Sequence, residues 1–234
     1  DAVRVVDDCS VGSADRLPPG VPVDRIDVRS RELEPVLQSF DPHVVVHLAA
    51  IHYVPYCDEH PGETYDVNVL GTRTLLDAAR TLDTLDTLVN VSSAAVYPAI
   101  DGPLSEDVRP GPMDPYGKSK LVAEELVELF DQRSDVDTVS ARLFNVYGPG
   151  ETNPHLIPAI LDQLQDGSRT VELGNLTPRR DYIHVSDVSR GLQQFVEHAD
   201  EAPAALNLGT GDAYSVRAVV EAVSLALGAD IEVT

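Results

Sequence analysis

Short β-branched apolar runs recur along this chain, and no hairpin signal joins one to the next. They fall at residues 2–6, 21–28, 43–50, 87–91 and 138–143, with helical periodicity between them at 31–40, 65–81 and 116–130. Strands that alternate with helices predict a doubly wound α/β fold around a parallel sheet. The run His43-Val44-Val45-Val46-His47-Leu48-Ala49-Ala50 predicts a strand covered on both faces, with His47 in the core and His52 beyond it in a loop. From residue 151 the rhythm changes. A helix at 156–165, a short strand around Val171, the stretch 178–188, a helix ending near His198, a strand at 206–208 and a helix at 216–227 suggest a smaller lobe. The reading is therefore a first domain over 1–150 and a second, interleaved lobe over 151–234.

One site candidate stands out in Tyr116-Gly117-Lys118-Ser119-Lys120. The chain has 15 arginines but only two lysines, and both lie in these five residues. Tyr116 and Lys120 are four apart at the start of a helix, so their side chains stack on one face. An ammonium beside a phenol favours the phenolate, whose reference pKa of about 10 is otherwise high for a base near neutrality. The pair is thus a candidate general base with its tuner. The same spacing also describes an ordinary surface pair, and the spacing alone leaves both readings open. Asp7 ends the first strand, where a dinucleotide-binding unit places its ribose clamp, although an acid there also serves as a plain turn. Asn68, on the apolar face of the 65–81 helix, needs a hydrogen-bond partner.

Charge excludes several classes of function. The net charge of -22 includes 25 aspartates spread through every segment. A dispersed acidic surface repels nucleic acid and anionic membranes, because phosphate binding needs clustered Lys and Arg. It is similar to the surfaces of proteins from salt-loving organisms, where concentrated salt screens the repulsion. Cys9 and Cys57 form neither a disulfide framework nor a zinc-ligand pattern. With no apolar run of membrane-spanning length and no signal segment, the expectation is a cytoplasmic protein.

Six fragments in order give the chain a resemblance. They are His47-Leu48-Ala49-Ala50, Asn68 in Asn-Val-Leu-Gly-Thr, Val-Ser-Ser-Ala-Ala-Val-Tyr at 91–97, the Tyr116 to Lys120 pentapeptide, Arg142-Leu143-Phe144-Asn145-Val146-Tyr147-Gly148-Pro149, and Arg180-Asp181-Tyr182-Ile183-His184-Val185. Together they resemble the extended short-chain dehydrogenase/reductases, in the nucleotide-sugar epimerase branch typified by UDP-glucose 4-epimerase.

The resemblance implies a Rossmann-type fold and NAD as cofactor. It implies that Asp7 holds the adenosine ribose, that Asp27 and Val28 flank the adenine, and that Leu48, Ala49, Ala50 and Ser92 lie along the cofactor. Ser93, Tyr116 and Lys120 would be catalytic, with Tyr116 and Lys120 also on the cofactor side. Ser93, Asn145 and Arg180 would bind the nucleotide-sugar, Arg180 through its diphosphate, where a planar guanidinium suits paired oxygens. A homodimer through the 65–81 and 115–130 helices is implied as well.

The chain departs from the family pattern at both ends. The glycine-rich turn expected before Asp7 and the C-terminal segment expected after Thr234 are not in the sequence, so a piece of a longer chain is the expectation. Ala94 and Ala95 stand where related dehydratases and decarboxylases carry acids, which points to a 4-epimerase. A nucleotide-sugar reductase or dehydrogenase, and a binding protein without turnover, remain the alternatives. The sugar and the nucleotide are not readable.

Overall fold

In the computed structural model, residues 2–151 and 153–234 are described. Along the chain they form β1 (Val5–Val6), β2 (Val23–Asp24), α1 (Leu33–Phe40), β3 (Val44–His47), α2 (Val54–Glu59), α3 (Pro61–Tyr65), α4 (Gly71–Ala79), β4 (Thr87–Ser93), α5 (Pro115–Asp131) and β5 (Asp137–Leu143). There follow β6 (Asn145–Tyr147), α6 (Leu156–Leu164), β7 (Thr170–Val171), β8 (Arg179–His184), α7 (Val185–Glu197), β9 (Ala205–Leu208), β10 (Ala213–Ser215), α8 (Val216–Leu227) and β11 (Glu232–Val233).

Two compact units share this chain. One is built from the chain up to Leu143 together with Arg190–Leu208, the other from Phe144–Ser189 and Gly209–Thr234. In the first, β3, β4, β5 and β9 form an all-parallel sheet in the order β3-β4-β5-β9, and β1 pairs in parallel with β2. Neighbouring residues of β4 point to opposite faces and meet different clusters. Leu88 packs with Leu33 and Leu37 of α1, Leu75 and Leu76 of α4 and Phe130 of α5, while Val89 packs with Val139, Ala141, Leu192 and Phe195. Both faces of β4 and β5 are therefore covered by helices, as a parallel sheet requires.

The outer strand β3 departs from that expectation. It turns Val45 and His47 inward and leaves Val44 and Val46 exposed. The expected 21–28 strand also shrinks, to two residues. Asp27 accepts hydrogen bonds from the backbone N–H and the guanidinium of Arg29, and the Ser30 N–H closes on the Asp27 carbonyl, which turns the backbone out of the ladder.

The expected 65–81 helix is interrupted by a π-helical turn over Asp66–Leu70. One extra residue per turn places Asn68 in the interior, where Oδ1 accepts the Ile51 N–H and Nδ2 donates to the Ile51 carbonyl and to Ser119 Oγ. Asn68 thus finds the partners that burial demands. His47 is a core histidine, with Nε2 2.9 Å from the Thr72 hydroxyl.

In the second unit β6, β8 and β10 form a mixed three-stranded sheet in the order β10-β8-β6, and β7 pairs with β11. Its core gathers Ile160 of α6, Val171 of β7 and Val219 and Val220 of α8. The helix predicted at 216–227 forms over those residues, N-capped by Ser215 and closed by Gly228 in the left-handed region. Among the described residues, no helix is long and apolar enough to cross a membrane.

Candidate active site

The end of β4 and the first turns of α5 interlock. Ser93, the last residue of β4, accepts a hydrogen bond from the Ala95 N–H and so caps a 3-10 turn over Ala94–Val96. Asp114 caps α5 by accepting from the Gly117 N–H at 2.7 Å, and Pro115 occupies the first helical position, where no N–H is needed. Gly117 lies against the Ala95 carbonyl so closely that a Cβ there would come within 2.2 Å of its oxygen. That missing side chain lets α5 press on the turn behind Ser93.

The two candidate side chains of α5 are buried there. Tyr116 is 9% exposed and Lys120 6%. Ser93 lies near enough to the Tyr116 phenol to pull its pKa down. Lys120 Nζ donates to the Val91 carbonyl at 2.8 Å, tying α5 to β4. Ser119, between them on the helix, donates to the Tyr116 carbonyl and accepts from Asn68 Nδ2, so the interior of the π-turn braces the same helix.

The electrostatics differ from the expectation of a depressed phenol. Burial pushes Tyr116 up to about 12, while Ser93 pulls it down and Cys57 and Asp114 push it up. Burial also lowers Lys120 to about 8, with Glu124 and Cys57 pulling it back up. Desolvation of the phenolate is the largest influence on Tyr116, ahead of Ser93. Cys57 is itself a buried thiol whose pKa burial raises.

The remaining predicted positions are scattered over both units. Asp7 is exposed and accepts from the Cys9 N–H at 2.7 Å. The Arg29 guanidinium beside Asp27 holds that carboxyl below its usual range. Val28 packs its side chain against Gly71, where a Cβ would meet Val28 Cγ1 at 2.5 Å. Leu48 and Ala49 are exposed at the carboxyl end of β3, with Ala50 half-buried. Ser92 is buried, and its hydroxyl donates to Glu124. Asn145 and Arg180 lie in the second unit, both exposed, on the paired strands β6 and β8. Arg180 Nη1 donates to the Arg179 carbonyl. Asp181 accepts from the N–H groups of Thr210 and Gly211 and from the Thr210 hydroxyl, which anchors the Gly209-Thr210-Gly211 turn as a structural element.

Sequence reasoning missed the residues that support this arrangement. Gly117, Ser119, Glu124, Arg142, Tyr97 and Asn207 all make contacts around it. A signal was present for Glu124, which repeats the four-residue spacing of Tyr116 and Lys120 on the same helix face.

Comparison with known proteins decides the family. The sequence matches the NAD dependent epimerase/dehydratase family over residues 2–209. The chain belongs to this family. The UDP-glucose 4-epimerase of Corynebacterium glutamicum is 33% identical, over 94% of this chain and 71% of its own length. The GDP-6-deoxy-D-mannose reductase of Pseudomonas aeruginosa is 30% identical, over 82% of this chain and 66% of its own length. Among solved structures, the UDP-glucose 4-epimerase from Brucella ovis in complex with NAD superposes with a TM-score of 0.90 at 31% identity, covering 100% of this chain and 77% of that one.

The residues of this family member fit its cofactor at two points. Lys120 carries three N–H donors, and the described residues offer it one acceptor, the Val91 carbonyl, which leaves donors for ribose hydroxyls. Leu48 to Ala50 present small and apolar surface beyond the carboxyl end of a parallel strand, where this class of sheet takes its ligands.

Proposed function

We propose that this protein is an NAD-dependent nucleotide-sugar 4-epimerase of the UDP-hexose type, working through a transient 4-keto sugar. The observation that carries the reading is the placing of Ser93 at the end of β4, beside the start of α5 with its buried Tyr116 and Lys120, and with no acid at Ala94 or Ala95. Elimination and decarboxylation need a further acid beside the serine. Reversible oxidation of an alcohol does not.

NAD, when bound, supplies the acceptor that takes a hydride from the sugar carbon and gives it back. Tyr116 removes the proton from the hydroxyl on that carbon and later returns it. Ser93 donates a hydrogen bond to the oxygen while it is a carbonyl. Lys120 holds the nicotinamide ribose and adds positive charge below the phenol, and Asp7 takes the adenosine ribose. Asp27, Val28, Leu48, Ala49, Ala50 and the Ser92 backbone line the cofactor. Asn145 and Arg180 hold the nucleotide-sugar, Arg180 by two parallel N–H donors to the diphosphate. The first unit thus serves the cofactor and the second the sugar nucleotide, in a homodimer that covers the exposed Tyr65, Leu70 and Leu129 of the α3-to-α4 region and α5.

The test is interconversion of UDP-glucose and UDP-galactose by the full-length protein in high salt. The reading predicts equilibration of the two sugars with no net change in NADH, and loss of about a thousandfold in kcat for Tyr116→Phe with the fold retained. A reductase-like relative supports a second reading, net reduction of a 4-keto nucleotide-sugar. Stoichiometric consumption of NADH or NADPH without epimerisation would establish that one instead.

A further inference from the structure

Behind Ser93 and Lys120 lies a buried polar chain that the proposed chemistry does not use. Glu124 follows Lys120 by one helical turn, and its side chain is 9% exposed. Arg142, near the carboxyl end of β5, reaches it with two parallel bonds, Nε to Oε1 at 3.0 Å and Nη2 to Oε2 at 2.7 Å, and is itself 8% exposed. Ser92 adds a third bond to the same carboxylate. Beyond the ion pair, Arg142 Nη1 donates to the Tyr97 hydroxyl at 2.9 Å, and that hydroxyl donates to Asn207 Oδ1 at 2.7 Å. Asn207 in turn donates to the Leu104 carbonyl and to Glu106. One connected network therefore spans α5, β4, β5, β9 and the two stretches that follow Ser93.

Such a pair is a poor choice if stability alone is the purpose. Buried ion pairs are expensive to desolvate, and apolar residues of the same volume often serve the fold as well or better. The location of the network gives it another use. Its Ser92 arm holds the residue before Ser93, its Tyr97 arm holds the residue that closes the Ala94–Val96 turn, and its Glu124 arm sits one turn from Lys120.

We propose that Glu124 is a positioning residue for this site. Its carboxylate, gripped by Arg142 and Ser92, fixes the end of β4 against α5 and supplies the negative charge that keeps Lys120 a cation in a buried place. Glu124 is the larger of the two groups that pull Lys120 up, ahead of Cys57. His47 of β3 is pushed down to about 3 by burial, with Lys120 adding to the effect, and is neutral. Cys57 of α2 is a thiol that burial holds protonated. Tyr116, on the same helix, is a neutral phenol, and Val91 of β4 offers a carbonyl dipole. Arg142 of β5 lies beyond Glu124 and has the wrong sign. Among the described residues, Glu124 is the carboxylate that acts on Lys120.

This inference rests on the epimerase reading for its purpose, but its test does not need turnover. With only two lysines in the sequence, protein labelled with 13C at the lysine ε-carbon gives one signal for exposed Lys118 and one for buried Lys120. In Glu124→Gln the Lys120 titration midpoint is expected to fall by about one pH unit while Lys118 stays where it is. Glu124→Asp, which keeps the charge, is expected to restore most of that fall. In parallel, kcat of Glu124→Gln is expected to drop about tenfold or more, through lost positioning, and the alkaline limb of the pH profile to move down with the Lys120 midpoint. Should Glu124→Gln not fold because Arg142 is left unpaired, Glu124→Gln/Arg142→Met removes both charges, and the Lys120 midpoint is again expected below wild type. A Lys120 midpoint that stays at its wild-type value in the variant that folds overturns the proposal, and it does so whether or not the wild-type protein epimerises any sugar.

Discussion

Tyr116 and Lys120 sit at 9% and 6% exposure on a helix of 17 residues, whereas Arg180 and Asn145 are exposed on strands of six and three residues. The first unit holds Tyr116 and Lys120 inside a mesh of hydrogen bonds that includes Val91, Asn68 and Ser119. The second holds its charged groups at the surface, and steadies a nearby turn through Asp181. Burial shifts pKa values and fixes geometry; exposure leaves donors open to a ligand. Substitutions in the first unit are therefore expected to act on kcat, pKa and stability together. In the second they are expected to act on KM alone.

The largest effect expected from a single methyl group is at Gly117. Its Cβ would strike a backbone oxygen, which cannot swing away like a side-chain tip, so Gly117→Ala must move α5 from the Ala94–Val96 turn. A loss of about 1–3 kcal/mol in thermal or denaturant unfolding is expected, together with most of the turnover. Full activity in that variant would break the claim that close approach of α5 builds the site. Arg180→Ala sharpens the other side of the contrast. It is expected to raise KM for the nucleotide-sugar about tenfold or more with little change in kcat or melting temperature, and Arg180→Lys to recover only part, because an ammonium lacks the two-pronged donor geometry.

A smaller effect should appear in the pH dependence of stability. Folding lowers Lys120 from its ordinary 10.5 to about 8. Between these values the unfolded chain binds a proton that the folded chain does not, so this residue makes stability rise with pH across that window and penalises the fold below it. Tyr116 acts with the opposite sign: raised from 10.0 to about 12, it makes stability fall with pH between those two values. The difference in stability between wild type and Lys120→Met, measured by denaturant unfolding from pH 7 to 10, should therefore narrow as pH rises through 8. A difference that does not change with pH would mean that Lys120 titrates alike in both states.

Much of this architecture can be read from periodicity. The run at 87–91 becomes β4 and the segment at 216–227 becomes α8, because apolar spacing sets which face is buried and Ser215 and Gly228 mark the ends. The placing of Tyr116 and Lys120 in one helix was legible from their four-residue spacing at its start, whereas Ser93 was singled out only through the family resemblance. Other features depend on what lies across the fold. At the π-turn over Asp66–Leu70, Asn68 reaches Ile51 and Ser119, partners that lie far off in the sequence. The raised pKa of Tyr116 was hidden for the same cause. The sequence displays a lysine four residues on but not the depth of burial that raises the phenol. Glu124 and Arg142 stand 18 residues apart on different elements, and their pairing depends on the register of β5 against α5.

The central claim is that a hydride leaves and returns to the same sugar carbon while Tyr116 handles only the proton. The most direct test is to give the full-length protein UDP-galactose carrying deuterium on C4 and follow the label by mass spectrometry and NMR. The account predicts UDP-glucose with the deuterium retained at C4, no label in water, no accumulation of NADH, and no conversion above background in Tyr116→Phe. Epimer formed with its C4 deuterium exchanged for solvent hydrogen would contradict it, because inversion would then proceed by removing a proton from carbon rather than by moving a hydride.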